Sequence, residues 1–165
     1  MSNKVSLEEA KDGLESLGMW MESRYHIHFI EVPIQKWDMP RKEKDFFTVY
    51  TMNIALESGG FDCLAGQKTE DVEAFMDILQ RLGAETTAAF VRSTLTALER
   101  MSPQDEDRCT SKYYGLFERD KIWLKLMDFV GRSIYMRYVL RAQAIQEAGK
   151  NMFDPKQWEG ELPDA

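Results

Sequence analysis

Apolar residues return along this chain at helical intervals. Leu7, Ala10, Leu14, Leu17 and Met21 recur three or four positions apart, with Glu8, Asp12 and Glu15 on the wet side, which predicts an amphipathic helix. Ser6 opens it with a capping box: its hydroxyl can accept from the amide of Glu9 while the Glu9 carboxylate reaches back to the amide of Ser6. Residues 25–32 are β-branched and aromatic enough to run extended, and Pro33 ends any regular element there. A lone strand cannot satisfy its own backbone, so a loop or minor hairpin is expected.

Four more helices follow from the pattern. One starts after Asp38 with Pro40 in its first turn, carries Phe46, Phe47, Val49, Tyr50 and Ile54, and stops at Gly59-Gly60. Thr69 is placed to cap the next, whose first turn holds Glu70, Asp71 and Glu73 and which Gly83 closes in the left-handed conformation. A helix over 85–101 buries Ala88, Val91, Leu95 and Leu98 and ends at Ser102-Pro103. The longest, over 119–148, presents Ile122, Leu126, Phe129, Ile134, Val139 and Ala142, with Gly131 as a weak spot. Its apolar surface is broad, which places it at the centre. The fold class expected is all-α: a single-domain multi-helix bundle with a long central C-terminal helix. Residues 1–44 form the N-terminal helix and connector, 45–150 the helical core, and 151–165 a tail that Phe153 and Trp158 dock on the body or on a second copy.

Composition supports a real core: 44% of the 165 residues are hydrophobic and 12% aromatic, too many for a disordered chain. No stretch approaches the roughly 20 apolar residues of a membrane span. The start, Met1-Ser2-Asn3-Lys4, leads straight into the acidic amphipathic segment with no secretory signal, so a cytoplasmic location is expected. Cys63 and Cys109 belong to no CxxC or Cys/His cluster; two free thiols are expected, with a disulfide left open.

Charge is more informative. The net charge of −7 disfavours binding to DNA or to an anionic membrane. It is unevenly spread: residues 45–110 hold 12 acidic against 5 basic side chains, and residues 111–150 hold 4 against 8. Two acidic groups stand out. Glu70, Glu73 and Asp77 follow i, i+3, i+7 spacing on one helix face, with Asp71 beside them, and Asp105-Glu106-Asp107 lies beyond Pro103 in a loop or short helix. The plain alternative is that the first group complements a helix dipole and the second is solvated surface.

No nucleophile elbow, phosphate loop or HExxH helix is present, so no enzyme activity and no cofactor are expected. His26 and His28 would share a face if extended, yet no third ligand stands at a metal spacing. Direct nucleic-acid binding through Arg132, Arg137 and Arg141 runs against the net charge. A helical dimeric scaffold remains the second reading, its apolar surface drawn from Trp123, Met127, Tyr135, Met136 and Tyr138 or from the tail around Trp158.

Residues 50–98 run as a helix ending in Glu57-Ser58-Gly59-Gly60-Phe61, a short link, an acidic helix closing on Leu82-Gly83-Ala84, and an alanine-rich helix. This order resembles the bacterial DNA-mimic protein family of small, acidic, all-helical proteins, although Ser58 stands where that family usually has asparagine. The resemblance implies a homodimer whose surface carboxylates imitate DNA phosphates. Such a protein occupies the DNA-binding face of a helix-turn-helix transcription factor and blocks its operator. The expected partner-binding carboxylates are then Glu70, Asp71, Glu73, Asp77, Asp105, Glu106 and Asp107.

Overall fold

A computed structural model describes residues 5–25 and 32–165. Six helices follow in order: α1 (Leu7–Arg24), α2 (Arg41–Ala65), α3 (Thr69–Arg81), α4 (Glu85–Ala97), α5 (Pro103–Arg119) and α6 (Ile122–Glu147). Short 3-10 turns at Ile34–Lys36, Leu98–Arg100 and Pro155–Trp158 complete the regular structure, with no strand among the described residues. The fold is all-α, as the periodicity predicts. The extended segment expected over 25–32, with His26 and His28, lies almost wholly outside the described residues.

Both bonds of the Ser6–Glu9 capping box form, at 3.1 and 2.8 Å. Ala10, Leu14, Leu17 and Met21 are fully buried behind it, whereas Leu7 sits at the open end of the stripe and is 37% exposed. On α2, Phe46, Phe47 and Val49 are fully buried, and this helix packs on all five others. Helix α6, 26 residues long, packs on α1, α2 and α5. One apolar core runs through all six helices.

Glycine marks the turns that the sequence assigned to it. At Gly59-Gly60 the helix kinks: Gly60 takes φ +66°, and a Cβ there would lie 2.9 Å from both Glu106 Oε1 and Thr110 Oγ1. The turn returns Phe61 to the core, edge-on to Tyr113. Gly83, at φ +78°, closes α3: its amide donates to Gln80 and that of Ala84 to Leu79, so two carbonyls left free by the helix end are satisfied.

Several boundaries differ from expectation: Pro40 precedes α2 rather than lying in its first turn, and α4 ends at Ala97 with a 3-10 turn after it. Thr69 is already helical, so Lys68 takes the capping position and no side chain bonds the free amides there. Residues 103–119 form a full helix, α5, of 17 residues. The pair Ser102-Pro103 is its start as much as an end, because the Ser102 hydroxyl accepts from the Asp105 amide at 3.2 Å and proline fits the first turn. The long C-terminal helix therefore begins at Ile122, where left-handed Lys121 (φ 53°) separates it from α5, and it bends at Gly131 (φ 78°, ψ 156°).

The tail folds back on its own chain. Trp158 is buried against Trp20 and Tyr138, and its indole N–H donates to the Met152 carbonyl at 2.8 Å. Arg137 donates to the carbonyls of Pro163 and Leu162, and Arg141 to those of Gln157, Glu159 and Glu161.

Candidate partner-binding surface

The seven carboxylates expected to meet a partner separate according to what surrounds them. On α3, the inward face buries Val72, Phe75, Met76, Ile78 and Leu79, which turns Glu70, Glu73 and Asp77 to solvent on one outer face. Each of the first two meets a cation: Lys36 Nζ lies 3.5 Å from Glu70 and Arg92 lies 3.6 Å from Glu73, with every side chain in these pairs about half exposed. Asp77 has no ion pair among the described residues.

Asp71 does not belong to this face. It is 3% exposed and accepts the amides of Ile34 at 3.0 Å and Gln35 at 3.2 Å, with the Gln35 side-chain amide at 3.3 Å. A buried carboxylate holding three donors fixes the connector to α3, and it offers no oxygen to a partner.

The second group stands on the first turn of α5, where its charges complement the helix dipole. Asp105 accepts from the Ser102 hydroxyl at 2.9 Å and lies 3.6 Å from Arg108. Glu106 turns back to α2 and accepts the amide of Asp62 at 3.1 Å, so it caps the short helical stretch after the Gly59-Gly60 kink. Asp107 is exposed, with no ion pair among the described residues. Of the seven, Glu70, Glu73, Asp77, Asp105 and Asp107 present charge to solvent, while Asp71 and Glu106 tie segments of the chain together.

Most of the basic and apolar side chains weighed as alternatives are occupied inside the fold. Arg137 and Arg141 hold the tail, leaving Arg132 exposed. Trp123, Tyr138 and Trp158 are buried, and Met127 and Tyr135 pack against the core.

Apolar surface is found elsewhere, beside carboxylates that the sequence pattern did not single out. A hollow of about 310 Å³ opens between the start of α1, the end of α2, α5 and the first turn of α6, with Glu8, Glu57 and Glu118 on its walls. A second hollow of about 240 Å³ continues along α1 to Met19, and the two share Asn53, Glu57 and Trp123. Asn53 is buried and held on both sides: it accepts from the Tyr113 hydroxyl at 3.0 Å and donates to Glu57 at 3.2 Å. Burial first, then the charges of Glu22, Glu15 and Glu57, raise the Tyr50 hydroxyl above its usual range; burial and then Glu57 do the same at Tyr114. Both phenols stay protonated there.

Among the described residues no group of three or more histidine, cysteine, aspartate or glutamate side chains is disposed to hold a metal ion, and no helix is long and apolar enough to cross a membrane. Fold and surface together define an acidic, all-helical protein with its carboxylates divided between internal ties and open faces. Neither a family model, nor a curated protein, nor a solved structure matches the chain.

Proposed function

We propose that this chain is a non-catalytic binding protein that acts as a DNA mimic, with its exposed carboxylates facing the basic surface of a helix-turn-helix transcription factor and excluding the operator. The observation that carries the reading is the outer face of α3. There, Glu70, Glu73 and Asp77 project together from a 13-residue helix whose other face is anchored in the core. Three or four residues along a helix correspond to roughly 4.5–6 Å of rise, of the order of the phosphate spacing along one strand. A stiff row of charges at that spacing meets a basic surface without having to be ordered first.

The ion pairs to Lys36 and Arg92 are compatible with this role. Half-exposed pairs of this kind contribute about 0–1 kcal/mol, so an incoming arginine able to form two charge-assisted bonds displaces them at little loss. Asp71 and Glu106 have no part in it. The face that remains is narrower than the sequence suggested: Glu70, Glu73 and Asp77 on α3, with Asp105 and Asp107 as a separate group on α5.

The test is capture of the partner from a lysate of the source cells, followed by competition of the captured protein with its operator DNA. The wild-type chain is expected to displace the DNA. The variant E70Q/E73Q/D77N, which keeps every side-chain shape, is expected to lose that competition while melting like the wild type. Equal competition by the triple variant would remove α3 from the proposal.

A further inference from the structure

The two hollows adjoin at Asn53, Glu57 and Trp123 and together make a trough beside α1, one lined by Leu7 and the other by Met19. Those two residues lie twelve helical steps apart, about 18 Å of rise. Its floor is unusually apolar for open surface: Leu7 is 37%, Met19 40% and Ile54 36% exposed, and they rank among the few large hydrophobic side chains that the described fold leaves uncovered. Leu7 and Ile54 occupy helix positions that the periodicity assigns to the core, yet each lines the trough instead. Isolated exposed hydrophobics need no explanation, but three lining two adjoining hollows do.

The walls carry the complementary signal. Glu8, Glu15, Glu57 and Glu118 line the trough against a single cation, Lys11, whose Nζ lies 3.9 Å from Glu15. Among the described residues none of Glu8, Glu57 and Glu118 is in an ion pair. This distinguishes them from Glu70 and Glu73.

We infer that the trough between α1, α2 and α5 is a docking site for a cationic amphipathic helix of a partner protein, its apolar stripe lying on Leu7, Met19 and Ile54 and its lysines or arginines reaching Glu8, Glu57 and Glu118. The occupant follows from the complementarity. An anionic membrane or a nucleic acid is repelled by those carboxylates, and a purely apolar helix leaves them desolvated without partners. A helix with one apolar stripe and basic flanks satisfies both, and the trough's length suits three turns of it. The Asn53 and Glu57 side chains are held by the Tyr113–Asn53–Glu57 hydrogen bonds, so the Glu57 carboxylate is in place before the partner arrives. This site is separate from the α3 face, and neither reading depends on the other.

The probe is a fluorescein-labelled peptide of about 18 residues made of leucine and lysine, with leucines three and four apart, compared by anisotropy with a peptide of the same composition whose leucines are spread around the helix. The full chain is expected to bind the amphipathic peptide at least about tenfold more tightly than its isomer, a difference of about 1.4 kcal/mol. E57Q/E118Q and, independently, M19S/I54S are each expected to weaken binding roughly tenfold, while E70Q/E73Q/D77N leaves it unchanged. All three variants alter exposed side chains and are expected to fold. Equal binding of the two peptides, or an equal loss in the α3 variant, would reduce the effect to unspecific charge attraction and overturn the site. No peptide binding, with or without self-association in sedimentation, would overturn it as well; self-association would assign the trough to a second copy.

Discussion

Asp71 on α3 and Glu57 on α2 carry the same charge in the same acidic stretch of sequence, and their surroundings give them opposite tasks. Asp71 is buried under the connector and binds two backbone amides there. Glu57 is exposed on the wall of an apolar trough, held by Asn53 and without an ion pair among the described residues. Density of negative charge along a chain therefore says little about which carboxylates stay open to solvent. What differs is whether the donors that a carboxylate needs are already supplied by its own fold. Glu106 falls on the side of Asp71, since it caps the kinked end of α2; Glu70 and Glu73 lie between the two, held only by exposed ion pairs.

The sharpest way to break this division is to remove a carboxylate from each class and measure stability. Asp71→Ala leaves the buried Ile34 amide and its neighbour without an acceptor, so it is expected to destabilise the fold by about 2–4 kcal/mol, read as a shift of the urea midpoint at constant slope. Glu106→Ala removes a single acceptor from a more open position, and about 1–2 kcal/mol is expected from the same measurement. Smallest of all, E70Q/E73Q/D77N and E57Q/E118Q should each stay within about 0.5 kcal/mol of wild type, because exposed charges contribute little to folding. If Asp71→Ala were as mild as those, or if the outer charges proved as costly, the division would fail.

Much of the fold was legible in the sequence, for a physical reason that also explains what was not. The Ser6–Glu9 box and the Gly83 closure are local, with both partners a few residues apart, and both form. From the pattern alone Ser102-Pro103 marks only the end of a helix. The same two residues open α5, and the charge-rich start of α5, with no apolar residue before Cys109, hid its helical period. Gly18 carried no signal at all, although a Cβ there would lie within 2.3 Å of the Tyr50 ring, so α1 and α2 approach as closely as they do because that position is bare. The acidic face of α3 follows from spacing along one helix. The inward turn of Asp71 does not, because its donors, Ile34 and Gln35, come from a distant stretch. The same holds for the trough, which four separate helices build together, and for Arg137 and Arg141, whose acceptors are tail carbonyls that no pattern of side chains reveals.

The claim that exposed carboxylates carry the function is tested most directly by the salt dependence of the complex with whatever protein the chain captures. Exposed charges are screened over about 8–10 Å at physiological ionic strength. The affinity of the wild-type chain is therefore expected to fall at least about tenfold as salt rises from roughly 50 to 200 mM, with a shallower slope for E70Q/E73Q/D77N. An affinity that stays level across that range, with the same slope in wild type and variant, would contradict it.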